Sequence, residues 1–196
     1  MSDNFVWSSQ RRQHTCTMLF SQLAKIRKSV FDVARKQGTD VFYYGNFIPN
    51  PGSRVMFVAE MPSSRKHDPH LNFQISSSDE KFTKLLCKHG FGGSYLTDIV
   101  KTATPARRPT KAEVNAFAPI LIKEIEAVRP EMIVAIGKSA EAELIGILRG
   151  YPVFDVHNVH YVHHPSWCER MERSKKPGWS ILDQELENLA SLRNVI

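Results

Sequence analysis

"MIVAIGKSAEAELIGILRG", residues 132–150, decides the fold. Its first residues, Met132 to Ile136, are apolar without interruption. A strand with one wet face alternates apolar and polar residues, whereas an unbroken run belongs to a strand covered on both faces, as in a parallel sheet. Gly137 then breaks the run, and "KSAEAELIGILRG" (138–150) reads as a helix. A buried strand turning straight into a helix is half of a βαβ unit.

Working outward, the same alternation recurs. Thr110 and Glu113 form a capping-box pattern that opens a helix running to about Val128, where Arg129-Pro130 ends it. "GSYLTDIV" (93–100) reads as a strand, and "SSDEKFTKLLCKHG" opens with a second capping box, Ser77 and Glu80, and closes at Gly90. Residues 55–60 make a short apolar strand. Residues 16–37 place Leu19, Leu23, Ile26, Val30 and Val33 three or four apart, which predicts an amphipathic helix. "YPVFDVHNVHYVHHPS" (151–166) contains strand signals for a hairpin or two short strands, and "SILDQELENLASLRNV" (180–195) predicts a last helix. The expected fold class is α/β: a three-layer α/β/α sandwich with a mainly parallel central sheet. The whole chain, 1–196, is expected to be a single domain. It would have an N-terminal helical region (1–44), a motif-bearing core (54–167), and a basic loop with a C-terminal helix (168–196).

Composition sets outer bounds. The chain has 196 residues, 42% hydrophobic and 23% charged, which is ordinary for a soluble domain. No apolar run reaches the ~18–20 residues that a membrane span needs, and the N-terminus lacks the apolar core of a secretory signal. The three cysteines, Cys16, Cys87 and Cys168, are far apart, so neither a disulfide framework nor a Cys-rich metal site is indicated. A cytoplasmic location is the expectation. The formal net charge is +6, and much of the excess sits in "KTATPARRPTK" (101–111) and "RMERSKKPGW" (170–179). Basic loops beside strand ends suit phosphate contacts.

In parallel α/β sheets, ligands bind beyond the carboxyl ends of the strands. Glu60, Asp98, Gly137-Lys138 and His164 all end or follow a strand pattern, so one cleft can collect them. Glu60 alone reads as an ordinary solvated acid; the convergence gives it another meaning. "AIGKSA" is not a P-loop, because Met132 stands where the first glycine belongs. Gly137, Lys138 and Ser139 still form a strand-to-helix turn that can cap a helix or offer N–H groups to a phosphate. His157, His160, His163 and His164 lack the spacing and partners of a closed metal site, so no metal is expected.

With these pieces in place, residues from about 54 to 167 resemble the uracil-DNA glycosylase superfamily. "VMFVAEMP" is similar to the first motif, a "GEAPG"-type turn after a strand. "NFQISSSDEKFTKLL" resembles the segment whose aromatic stacks on the extruded base, here Phe73. "YLTDIVKTATPARRPTKAEVNAFAPILIKEIEAVRPEMIVAIGKSA" resembles the long central block, and "HHPS" resembles the final motif, with His164 at the catalytic histidine.

The resemblance implies a monofunctional DNA glycosylase. Glu60 would stabilise an oxocarbenium-like sugar and orient water, and His164 would donate to base O2. Phe73, Asp98, Ser63 and Met61 would surround the base. Lys138, Ser139, Ser166, Trp167, Arg170, Arg173, Lys175 and Lys176 would contact DNA, with Trp167 or Met171 as the wedge filling the vacated stack; a core role for Trp167 is equally open. No lysine is placed as a Schiff-base nucleophile. The partner is DNA, double- or single-stranded, acted on by a monomer without membrane contact. A non-catalytic nucleic-acid-binding module on the same fold is the competing class.

The departures from the family pattern matter. The branch nearest in motif pattern holds an iron–sulfur cluster on four cysteines. Two of those positions fall at Thr102 and Phe117, so no cluster and no other cofactor is expected. Met61 replaces the polar residue of many first motifs, and Glu60 matches one branch only. Asp98 stands where uracil-specific members have Asn. An amide can donate to uracil O4, while a carboxylate only accepts and suits the N4 amino group of cytosine; if protonated, it can also donate to N3. Ser63 stands where many members carry a Tyr that blocks position C5. Together these point to a C5-modified cytosine, such as glucosylated hydroxymethylcytosine in phage DNA, with a defence role. Uracil or another deaminated base remains the alternative.

Overall fold

The computed structural model describes residues 3–39, 42–48, 54–62, 77–103, 108–151 and 154–193, with side chains in the first helix from residue 18 onward. Among the described residues, five strands form one sheet in the order β1-β3-β2-β4-β5. They are β1 (Asn46–Phe47), β2 (Val55–Ala59), β3 (Tyr95–Asp98), β4 (Met132–Ile136) and β5 (Val159–Val162). β1 runs antiparallel to β3 at one edge; every other pairing is parallel.

The helices are α1 (Asp3–Lys36), α2 (Ser77–Lys88), α3 (Lys111–Val128), α4 (Lys138–Gly150), α5 (Pro165–Arg173) and α6 (Gly178–Arg193). They divide between the two faces. Met56, Val58, Ile133 and Ala135 join Val30, Leu121 and Leu144 of α1, α3 and α4 in one core layer. Phe57, Ala59, Val134 and Ile136 join Phe82, Leu86, Leu182 and Leu186 of α2 and α6 in the other. Successive strand residues point to opposite faces, so β2 and β4 must be apolar throughout, and both are buried at every position. The three-layer α/β/α sandwich is thus the observed architecture.

The expected elements need four corrections. α1 extends thirteen residues further toward the N-terminus than the reading from Cys16, since it begins at Asp3. Residues 151–166 do not form a hairpin. Asp155 accepts a hydrogen bond from the His157 amide and closes a 3-10 turn, Val156–Asn158, after which the single strand β5 joins β4 in parallel. The segment expected as a basic loop from residue 168 is largely helical. The His164 side chain caps α5 and Pro165 opens it, where a missing N–H costs nothing. The two-residue strand β1 was too short to leave a pattern. The capping box at Thr110 and Glu113 is present with both reciprocal hydrogen bonds.

A buried ion pair lies beside β3. The Lys101 and Glu124 side chains are 1% and 2% exposed, and their charged atoms lie 2.6 Å apart. Glu124 also accepts from the Tyr95 hydroxyl and from Thr97 Oγ1. Removing one partner of a buried pair leaves an uncompensated charge and costs ~3–5 kcal/mol, whereas replacing both is close to neutral. Lys101→Met should therefore lower unfolding free energy by about that amount in denaturant titrations, and adding Glu124→Gln should restore most of it. Equal stability of the single variant and the wild type would show that the pair is not buried in solution.

Candidate active site at the carboxyl ends of the strands

Register brings the site together. Ala59 pairs with Asp98 on one side and with Ile136 on the other, and Ile136 pairs with Val162. The strands therefore stop level with one another, and Glu60, Gly137 and His163-His164 emerge side by side. A cleft of about 540 Å³ lies there, lined by Glu60, Met61, Lys138, Ser139, His164, Ser166, Trp167 and Arg170 among the residues singled out from sequence. Arg108, Gly137, Tyr161 and His163 complete the polar part of its wall.

Not every expected residue is there. Asp98 ends β3 beside Ala59 but is 1% exposed and is not among the described lining residues. Arg173, Lys175 and Lys176 are exposed in and after the last turn of α5 and are not among the described lining residues. Ser63 and Phe73 lie outside the described residues. Trp167 stacks on His163 with ring centroids 3.8 Å apart, packs against the second core layer and lines the cleft. The Met171 Cβ sits against Gly178, where an added methyl would come within 2.8 Å of it.

The chemistry of each group follows from its neighbours. Burial raises the Glu60 carboxyl above the ordinary glutamate range; Arg108 opposes that shift and Glu143 adds to it. His164 Nδ1 accepts the Ser166 amide hydrogen bond at 3.0 Å and faces Ser166 Oγ at 2.8 Å. With Nδ1 committed as acceptor, the proton of the neutral ring sits on Nε2, which becomes a donor. Gly137 caps α4 at φ 96°, and a Cβ there would meet the His164 Cβ at 3.3 Å. Only glycine serves both the backbone conformation and the close approach of the histidine. The α4 N-terminus thus presents backbone N–H groups to the cleft beside Lys138, a geometry suited to an anion.

His163 escaped the sequence reading, which chose its neighbour. Its amide and its Nδ1 engage the two oxygens of Glu185, at 2.9 and 2.6 Å. Glu185 comes from α6, 22 residues away in sequence, and no local pattern announces that partnership. Arg108 was visible only as one residue of a basic stretch.

A carboxylate and a donor imidazole thus face one cleft with cationic groups on its rim. The family model described as the Uracil DNA glycosylase superfamily matches residues 47–183, a span that includes all of these groups except the distal part of α6. The chain belongs to the uracil-DNA glycosylase superfamily. It is 33% identical over 113 residues to a type-4 uracil-DNA glycosylase of Pyrobaculum aerophilum, covering 53% of this chain and 57% of that protein. It is 30% identical over 101 residues to a type-4 uracil-DNA glycosylase of Archaeoglobus fulgidus, covering 48% and 50%. A type-5 uracil-DNA glycosylase of Pyrobaculum aerophilum is 44% identical over 54 residues, covering 28% and 24%. The chain spans about half the length of the type-4 relatives it matches.

At two of the positions where the iron–sulfur branch holds cysteines, this chain has Thr102 and Phe117. Phe117 is sealed in the first core layer, and Thr102 is buried in a bridge with Phe42. Neither offers a thiolate. Among the described residues, no group of three His, Cys, Asp or Glu side chains is placed to hold a metal ion.

The environment of Glu60 makes a sign-specific prediction. Burial disfavours the ionised form, a nearby cation favours it and a nearby anion disfavours it. In carboxyl-carbon NMR titrations, Glu60 should titrate above an ordinary glutamate. Arg108→Gln should move it further up and Glu143→Gln should move it down. An ordinary midpoint, unmoved by either substitution, would contradict this account.

Proposed function

We propose that this protein is a monofunctional DNA glycosylase. The observation that carries the reading is Glu60 and a donor-tautomer His164 facing one cleft in a chain of this superfamily. In the proposed reaction the target nucleotide leaves the stack, at a cost of a few kcal/mol. The C1′–N1 bond breaks and its electron pair leaves with the base. His164 Nε2–H stabilises the negative charge developing on O2. The Glu60 carboxylate stabilises the oxocarbenium-like sugar and accepts a proton from the water whose oxygen bonds to C1′. An abasic site remains and the strand stays intact. Lys138, Ser139, Ser166 and Arg170 at the rim hold phosphates, and Arg173, Lys175 and Lys176 extend that basic track.

For the base, the favoured reading is a cytosine with a C5 substituent, read by Asp98. Asp98 ends β3 beside Ala59 and is buried, and a hydrogen bond made away from water discriminates strongly between matched and mismatched bases. It accepts from the N4 amino group and, when protonated, donates to N3, which helps a poor leaving group depart. A serine at position 63, where many superfamily members carry Tyr, is small enough to be compatible with a C5 group. Large C5 groups mark some phage genomes, so defence against modified viral DNA follows from this substrate by analogy. Uracil is the second reading, favoured by the similarity to three uracil-DNA glycosylases.

Two experiments test the proposal. Glu60→Gln and His164→Ala should each lower single-turnover excision by at least ~100-fold, the scale of a lost electrostatic stabiliser, with DNA affinity kept. Near wild-type rates in both variants would remove these residues from the chemistry. Separately, wild-type protein should excise 5-hydroxymethylcytosine or its glucosylated form faster than uracil, and Asp98→Asn should invert that order. Ser63→Tyr should abolish activity on bulky C5 groups. Uracil excision with no activity on any cytosine derivative would return Asp98 to a structural role and leave the second reading standing.

A further inference from the structure

The Lys101–Glu124 pair does more than fill the core. Lys101 Nζ donates to Glu124 Oε2, to Thr97 Oγ1 and to the Asp98 carbonyl, so each of its three protons has an acceptor. Thr97 Oγ1 in turn donates to the same Glu124 oxygen, at 3.0 Å, which closes a ring of hydrogen bonds. The ring straddles the turn that leaves β3. Within that turn, the Ile99 amide donates to the Ala59 carbonyl at 2.8 Å and the Val100 amide donates to the Glu60 carbonyl at 3.1 Å. The Lys101 carbonyl accepts from the Tyr43 amide at 2.7 Å. One turn, 98–101, therefore fixes the backbone of Asp98 and the backbone of Glu60 together, and its anchor is a charged residue of α3.

Packing alone does not call for this anchor. A buried ion pair is no more stabilising than a well-packed apolar pair of the same size, and is often less so. What it supplies is direction: an ammonium with three committed protons holds the carbonyl of Asp98 at one point, which a methyl group cannot do. Catalytic geometry tolerates little error, since a displacement of ~1 Å can cost ~100-fold in rate.

We infer that Lys101 and Glu124 are positioning residues that hold the turn after β3 so that Asp98 and Glu60 meet the same extruded nucleotide. The inference rests on the excision reading given above. Its test is the double variant Lys101→Met/Glu124→Gln, whose Gln carbonyl can accept from Tyr95 and whose amide N–H can donate to Thr97 Oγ1, left without its Lys101 donor. Thermal melting, DNA Kd, single-turnover rate and the ratio of rates on 5-hydroxymethylcytosine and uracil oligonucleotides are measured well below the melting temperature. The expected result is a folded protein with unchanged Kd, a rate lowered ~10- to 100-fold, and a base ratio shifted toward that of Asp98→Asn. A purely structural pair would move neither the ratio nor the rate at constant Kd. If the double variant matches wild type in both, or loses rate only as its Kd or fold fails, the inference is overturned. Glu124→Gln alone, with the same readouts, decides the matter where the double variant does not fold. Glu60→Gln and Asp98→Asn run alongside. If they leave excision unchanged, the excision reading fails; if they respond and the double variant does not, only the positioning role fails.

Discussion

The parallel, in-register pairing of β3, β2, β4 and β5 is the constraint on which the rest depends. Because Ala59, Asp98, Ile136 and Val162 lie level across the sheet, whatever follows each strand is delivered to one edge. That edge is also where the following helices start, so helix N-termini and side chains converge on one cleft. A slip of one residue in β2 would turn Glu60 to the opposite face and bury it in a core layer. The apolar filling of both faces, which sets that register, is therefore a condition for the chemistry.

Within the cleft, protons and charges are assigned by neighbours. The capping hydrogen bond from Ser166 leaves His164 with a donor at Nε2, and it does so as part of starting α5. The same residue thus begins a helix and aims a proton. Glu60 is pulled in two directions, by burial toward the neutral acid and by Arg108 toward the carboxylate. Glu185 clamps His163 and the ring supports Trp167. Tyr161 beside them is pushed up to about 12, by burial first and then by Glu185 and other anions, so it stays a phenol.

The sequence makes visible what is local. The apolar run of β4, the capping box of α3 and the glycine before α4 are written in consecutive residues, and so is the list of groups that follow strands. What it hides is pairing at a distance. Lys101 looks like one more basic residue beside "ARRPTK", and nothing in its neighbourhood names Glu124 as its partner, 23 residues on. His163 looks equivalent to His164 until Glu185 is seen. The helix α5 was obscured because its cap is a histidine, and Pro165 reads equally as a turn or as a first helical residue. The level strand ends suggested that Asp98 would line the cleft, whereas it is buried and is not among the described lining residues.

On the proposed reading, this cleft hydrolyses a glycosidic bond rather than merely holding DNA. Incubation of excess wild-type protein with duplex and single-stranded oligonucleotides tests it most directly. The panel carries uracil, hypoxanthine, cytosine, 5-hydroxymethylcytosine and its glucosylated form. The account predicts release of a free base, fastest from a C5-modified cytosine, leaving a strand that breaks only on alkaline treatment. Binding to these oligonucleotides with no base released from any of them would contradict it.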